Sequence, residues 1–440
     1  MEIEKLLGVF RILGCTKVYI KELSENDNSK NQVYLGGDFS VLNIFPNLKI
    51  EPSQSGSHSK PIFKAQLSFS WIGEDGNGNV APFSQLILYP QYPEVRFSGF
   101  LRGCEKAPSE IMATRQKGRI LVLGVHNDGR IFGYAYPHQE SPFAFIKNKY
   151  SCTSQGVFNC LSLDVPQQGD GKEILLKELY RIYMNGWIKS KRLHSDGSLG
   201  ECEAPQCGGY TLEAELGVRP NGFKEPDFCG WEVKQYKVGN LSNISVGVIT
   251  LITPEPNGGI YVDEGVIPFV KKYGYVDKMG RADRMNFGTI HQCNKRNMTT
   301  NLQMEITGFD IEKRKIIDAR GGISLIDENE TIAASWTFAG LMEHWNKKHA
   351  HTVFVPSLTR KSPCLQYRYG NRISLGENSD FSSFLYAMSK GVIYYDPGIK
   401  VESVSSKPKA KKRSQFRIKT KDISSLYCEF KVIELEKIFS

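Results

Sequence analysis

The sequence predicts a multidomain chain: an all-β domain over residues 1–165, a linker over 166–172 and an α/β domain over 173–440. Three observations predict it. Short β-branched and aromatic runs separated by turn residues fill the first stretch. The polar run Pro-Gln-Gln-Gly-Asp-Gly-Lys at 166–172 has no apolar pattern, and helical and strand periodicities follow it. Length agrees, since 440 residues exceed one ordinary core.

In the front domain the strand-like runs are 17–20, 32–35, 63–71, 85–89, 119–125 and 131–136. His-Asn-Asp-Gly at 126–129 predicts a hairpin between the last two, because Asp-Gly tolerates the positive φ of a tight turn. Residues 51–61, rich in Ser, Gly and Pro, read as a surface loop. So many strands with few helices predict a closed or nearly closed barrel. Behind the linker, 173–184 reads as a helix with Ile174, Leu175, Leu179 and Ile182 on one face, and 209–217 as a helix ended by Gly217. Strands follow from Glu232 and over 248–256. A wrap is expected over 261–275, a hairpin over 302–317 and a helix over 335–349.

Hydrophobic content of 40% and charged content of 23% fit a globular protein. No uninterrupted apolar run is long enough to span a bilayer. The first residues open acidic and break their apolar run at Arg11, unlike a signal peptide, so a cytoplasmic location is expected. The ten cysteines contain no Cys-x-x-Cys pair, which predicts reduced structural thiols. Cys202 and Cys207 beside His194, and His344, His349 and His351 near Cys364, are read as structural and not as metal ligands. The net charge of +9 is concentrated late: residues 407–421 hold eight Lys or Arg and no acid before Asp422, with Phe416 and Ile418 alternating with Arg417 and Lys419 as on a strand.

The chemistry-bearing pattern is Pro-Asp-x4-Glu-x-Lys at 226–234. On a strand Glu232 and Lys234 project to one side while Trp231 and Val233 anchor the other. Gly230 permits a bend that returns Asp227 toward Glu232, so oxygens of both could reach one hard divalent cation, with Lys234 placed to orient water and balance charge. Glu213, on the preceding helix, could point a third carboxylate at the same place.

The succession of helix, acidic turn, Glu-x-Lys strand and Thr-Leu-x-Thr-Pro-Glu-Pro strand, over roughly residues 205–256, resembles the MvaI/BcnI restriction endonucleases and, more distantly, the MutH mismatch-repair nicking enzymes. The resemblance implies a restriction-endonuclease-like PD-(D/E)xK fold. It also implies Asp227 and Glu232 as ligands of Mg²⁺, Lys234 as the catalytic lysine and Glu213 as a supporting carboxylate. The chain departs from the smaller relatives in carrying some 200 further residues in front.

Two front segments, 21–36 and 92–103, resemble the N-terminal effector domain of the EcoRII restriction enzymes, a DNA-binding pseudobarrel with two arms. By that resemblance the first arm offers Ser24, Asn26, Asp27, Asn28, Lys30, Asn31 and Gln32, and the second Arg96, Arg102 and Lys106. Amide and guanidinium groups suit base edges, and the hydroxyls suit phosphates. Together the resemblances imply a monomeric Type IIE restriction enzyme that binds two copies of its double-stranded target, CC(A/T)GG cut after the second C, with CC(C/G)GG the nearest alternative, and that is paired in function with a DNA methyltransferase. Lys411, Lys412, Arg413, Gln415 and Arg417 of the basic segment, with Arg281 and Arg284, are expected to contact DNA in the catalytic domain. A repair nickase and a non-catalytic DNA-binding protein remain open as other readings.

Overall fold

The computed structural model describes residues 1–25, 31–37, 39–55, 60–90, 94–114, 116–126, 128–140, 142–150, 152–163, 171–218, 227–345, 349 and 351–439. The chain forms two compact units, Met1–Gln168 and Gly169–Ser440.

The first unit opens with the helix Ile3–Ile12, which buries Ile3, Leu6, Leu7 and Phe10, the i, i+3, i+4, i+7 stripe of an amphipathic helix. Two sheets follow. One has seven strands in the order Thr153–Gln155, Phe158–Ser162, Cys15–Leu23, Arg119–His126, Arg130–Tyr136, Ser68–Ile72, Gly78–Val80. The other has five: Val33–Gly36, Glu94–Ser98, Gln85–Tyr89, Lys60–Gln66, Ile50–Ser55. The barrel expected from the sequence does not close among the described residues, because each sheet ends in short strands that pair on one side only. The run read as one strand over 63–71 is two strands in different sheets. The chain changes sheet at Leu67, whose N–H donates to Ser84 O at 3.0 Å. Aromatic side chains knit the sheets, with Phe69 5.0 Å from Phe97 and Trp71 6.1 Å from Phe100. The expected hairpin is present, with Gly129 at φ +99°.

In the second unit the expected linker is shorter than predicted, since Gly171 and Lys172 already belong to the helix Gly171–Met184, and 166–170 lie outside the described residues. This helix and Cys207–Glu215 pack Leu175, Leu179, Ile182 and Leu212 with Trp231, Val233, Val353, Val355 and Tyr369 in one core. The sheet beneath orders Ile188–Lys189, Gln366–Tyr369, His351–Arg360, Arg372–Ser379 and Tyr427–Glu434, with Glu232–Lys237 added parallel to His351–Arg360. A second region holds smaller sheets around an aromatic cluster of Trp336, Tyr395 and Phe416.

Three local expectations are corrected. The helix expected over 335–349 begins only at Phe338, because Ile332–Thr337 pairs with Gly322–Ile326 as a strand and buries Ala334 and Trp336. The hairpin expected over 302–317 is split: Gln303–Thr307 pairs with Gly322–Ile326, and a small hairpin, Phe309–Asp310 with Lys315–Ile316, lies between. Cys202 and Cys207, expected reduced, form a disulfide, their Cα atoms 5.8 Å apart where a strand end meets a helix start. Of these histidines, His349 has a structural role: it is fully buried, stacked on Trp345 and bonded to Leu251 O at 3.1 Å. Among the described residues no helix is long and apolar enough to cross a membrane.

Candidate active site

The site is assembled by a two-residue turn. Phe228 and Trp231 exchange both backbone hydrogen bonds, N–H of 228 to O of 231 at 3.0 Å and the reverse at 2.8 Å. Between them Cys229 and Gly230 take φ of +48° and +83°, the pair of left-handed residues that defines a type I′ turn. Trp231 and Val233 then sink into the core, 5% and 6% exposed. The turn reverses the chain so that Asp227 lies alongside the strand it precedes, and its Oδ2 accepts the Val233 N–H at 2.9 Å. One carboxylate oxygen is thus used to fix the side chain.

Glu232 is 1% exposed, an extreme burial for a carboxylate, and its Oε1 is in direct contact with Lys234 Nζ. Burial by itself would lower the Lys234 pKa, but the charge and hydrogen bond of Glu232, then the charges of Asp227 and Glu213, outweigh it and hold the ammonium above its ordinary value. The structure therefore brings all four sequence-predicted residues into one electrostatic neighbourhood, from a turn, a strand and a helix. Gly208 lets the helix approach that closely: a Cβ there would stand 2.7 Å from Gln235 Oε1, and Gln235 is fixed by a 2.7 Å bond to Ser357. Glu215, two residues beyond Glu213, is taken up by Lys191 and Arg181 and acts as a structural anchor.

Glu232 in contact with the Lys234 ammonium, and the charges of Asp227 and then Glu213 acting on it from farther off, leave an excess of negative charge, which favours a cation. Among the described residues no group of three or more His, Cys, Asp or Glu stands close enough to form a finished metal cage. Mg²⁺ does not need one, since it takes one or two carboxylates and fills the remaining positions with water and substrate phosphate. The hard oxygens of Asp227 and Glu232 fit that requirement.

Of the remaining residues expected to meet DNA in this unit, Arg281, Lys411, Lys412 and Arg413 are exposed. Three others are turned inward. Gln415 is 7% exposed and accepts from Thr250 Oγ1 at 3.3 Å, Arg417 is tied to Asp396, and Arg284 to Asp277 at 3.2 Å. Within Phe416–Lys419 the expected alternation holds, with Phe416 and Ile418 buried, Arg417 half-buried and Lys419 exposed. Lys400, which the sequence did not single out, lies directly opposite Lys411 in an antiparallel pair, with Glu402 3.8 Å from each. Only the register of strands 399–402 and 409–411 reveals it.

In the first unit Ser24, Asn31, Gln32 and Arg96 line one cleft of about 330 Å³ with Lys21 and Arg119. Arg96 is engaged by Glu94 at 2.9 Å and Gln32 at 3.4 Å. Arg102 is exposed and lies 4.5 Å from the Phe83 ring, and Lys106 is exposed. Asn26, Asp27, Asn28 and Lys30 lie outside the described residues.

Residues 176–427 match the MvaI/BcnI restriction endonuclease family, a span that contains the turn, the Glu-x-Lys strand and the basic segment. The chain belongs to the MvaI/BcnI restriction endonuclease family. It is accordingly an enzyme of the Type II restriction class. Two solved structures are similar to this MvaI/BcnI family member at 18% identity. The restriction endonuclease MvaI–cognate DNA substrate complex covers 60% of this chain and 99% of that one with a TM-score of 0.45. Restriction endonuclease MvaI in the absence of DNA covers 61% and 100% with a TM-score of 0.34. A comparison with curated proteins finds no match.

Proposed function

We propose that the protein is a site-specific, Mg²⁺-dependent endonuclease of double-stranded DNA that cuts CC(A/T)GG after the second C, with Glu213, Asp227, Glu232 and Lys234 as its hydrolytic centre. The observation that carries this reading is the type I′ turn that sets Asp227 beside the buried Glu232–Lys234 pair, inside the span matched by the family. Asp227 and Glu232 would hold Mg²⁺, whose chemistry there is to withdraw charge from the scissile phosphate and lower the pKa of water. Lys234 keeps its proton, orients the attacking water and balances the charge that grows on the phosphate. Asp227 keeps its aim through the Val233 N–H, and Glu232 through Lys234. Glu213 deepens the negative field that attracts the cation.

The first unit, on this reading, is an effector domain that holds a second copy of the target through the cleft bearing Ser24, Asn31, Gln32 and Arg96. A five-base-pair site met by a single catalytic centre implies a monomer that cuts the two strands in turn. Plasmid cleavage tests the proposal. A supercoiled plasmid with one CC(A/T)GG site should be linearised in Mg²⁺ and left intact in EDTA, and sequencing of the ends should place the cut after the second C. Ends mapping to CC(C/G)GG or elsewhere would overturn the target, and persistent supercoiled DNA would overturn the activity.

A further inference from the structure

The run 288–304 contains no acid, although it bears Lys295 and Arg296. It is an irregular connection that is nevertheless tightly held. His291, fully buried, bonds Thr300 Oγ1 at 2.9 Å, stacks on Phe287 and pairs its backbone with Tyr395. The Asn297 side chain accepts the Thr299 and Thr300 N–H groups at 2.9 and 3.1 Å and donates to Ile290 O at 2.8 Å, the pattern of an Asx turn. Asn294 and Asn301 occupy left-handed backbone at φ +59° and +54°, a region that asparagine tolerates better than other side chains. Arg296 Nη1 closes the loop on Asn301 O at 2.7 Å.

This fixed loop presents Met298, 96% exposed, with Ile290 at 52% and Lys295 and Arg296 beside it. A bare methionine on a floppy loop would need no explanation. Here the backbone is locked by its own side chains, so the apolar tip is held out at a fixed position. Folding gains nothing from that exposure. The surroundings choose the partner. One carboxylate, Glu328, meets the loop, where it accepts from Asn301 Nδ2 at 3.1 Å. The two adjacent cations, with no acid in the run itself, suit a polyanion, and the apolar tip two residues beyond them suits the sugar and base surface of a groove.

We propose that residues 292–301 form a pre-ordered DNA-contact loop, in which Lys295 and Arg296 bind phosphates and Met298 packs against bases or sugars in a groove of the substrate duplex. The inference rests on the endonuclease reading and names one of its substrate-binding elements. Because the loop is ordered before binding, the duplex need not supply the entropy of ordering it.

The experiment measures binding of the full-length protein to two short labelled duplexes, one carrying CC(A/T)GG and one of shuffled sequence, in metal-free buffer across a salt series. Lys295→Gln with Arg296→Gln should lower the salt slope by roughly two units, one for each phosphate no longer neutralised. Met298→Ala should weaken binding about tenfold with the slope unchanged, since no charge is removed. Unfolding midpoints of Met298→Ala should match the wild type, because His291, Asn297 and Asn301 keep the loop in place. Lys295→Gln with Arg296→Gln also loses the Arg296–Asn301 bond, so its slope is read only on protein whose midpoint stays within a few degrees of wild type. Variants that both bind as the wild type does, or a Met298→Ala effect carried wholly by the slope, would overturn the loop assignment. Wild-type protein that bound neither duplex would instead count against the endonuclease reading itself.

Discussion

At the scale of single residues, Asp227 has two separable tasks, one oxygen anchoring the turn and the carboxylate charge attracting a cation. Asp227→Asn keeps an oxygen for the Val233 N–H and removes the charge. Its unfolding free energy should therefore stay within about 0.5 kcal/mol of wild type, while cleavage falls by at least roughly a hundredfold, about 2.7 kcal/mol of transition-state stabilisation. Equal loss of stability and activity would show the residue to be structural only. His291 gives a pH dependence with a definite sign. Burial pushes its pKa from the ordinary 6.5 down to about 4, only partly opposed by the nearby Thr289 backbone and the Asp396 charge. Above 6.5 both states are neutral and the full contribution is present. As pH falls from 6.5 toward about 4 the unfolded chain takes up a proton that the folded chain refuses, so stability is lost by up to roughly 3 kcal/mol. Denaturant unfolding of wild type and His291→Gln at neutral and mildly acidic pH should show the gap between them shift against the wild type on acidification. A gap independent of pH would contradict the assignment of a neutral buried imidazole.

Among the elements, the helix Cys207–Glu215 reaches the strand Glu232–Lys237 only because position 208 lacks a side chain. Gly208→Val should displace the helix, cost on the order of 1–3 kcal/mol and reduce cleavage more than DNA binding. An unchanged cleavage rate, measured on folded protein, would detach Glu213 from the chemistry. How far these elements could be read beforehand follows from the range of the forces that make them. The Asp227 turn, the Glu232 strand and the Gly217 stop are local, written in Gly-Trp, in alternation and in a C-terminal glycine, and all are in place. What the sequence misjudged depends on distant pairing. Ile332–Thr337 became a strand because Gly322–Ile326 offers it a partner, and Leu67 hands the chain from one sheet to another. The alternation of Phe416 and Ile418 with Arg417 and Lys419 was legible and is in place, whereas the burial of Gln415 and its bond to Thr250 depend on a distant strand. The loop around Asn297 carries no periodicity at all, so its order, set by side-chain bonds to its own backbone, left no sequence pattern.

For the molecule as a whole, the basic segment and the front unit make separate predictions. Neutralising Lys411, Lys412 and Arg413 together should flatten the salt dependence of DNA binding by roughly one slope unit for each phosphate these cations neutralise, on every sequence alike, and an unchanged slope would show the segment to be solvated and idle. If the front unit holds a second target, a short CC(A/T)GG duplex added in trans should accelerate cleavage of a single-site plasmid, since filling the effector site favours the active state. Arg96→Ala should remove the stimulation and spare basal cleavage, whereas a duplex that only competes would make the front unit part of one DNA clamp. The central claim is that the Glu232–Lys234 strand performs the hydrolysis, and one comparison tests it most directly: wild type and Lys234→Ala, matched for DNA binding, incubated with supercoiled single-site plasmid in Mg²⁺. The account predicts linear DNA from the wild type and intact plasmid from the variant. A variant that binds as the wild type does and still cuts at more than about a tenth of its rate, a difference below about 1.4 kcal/mol, would contradict it.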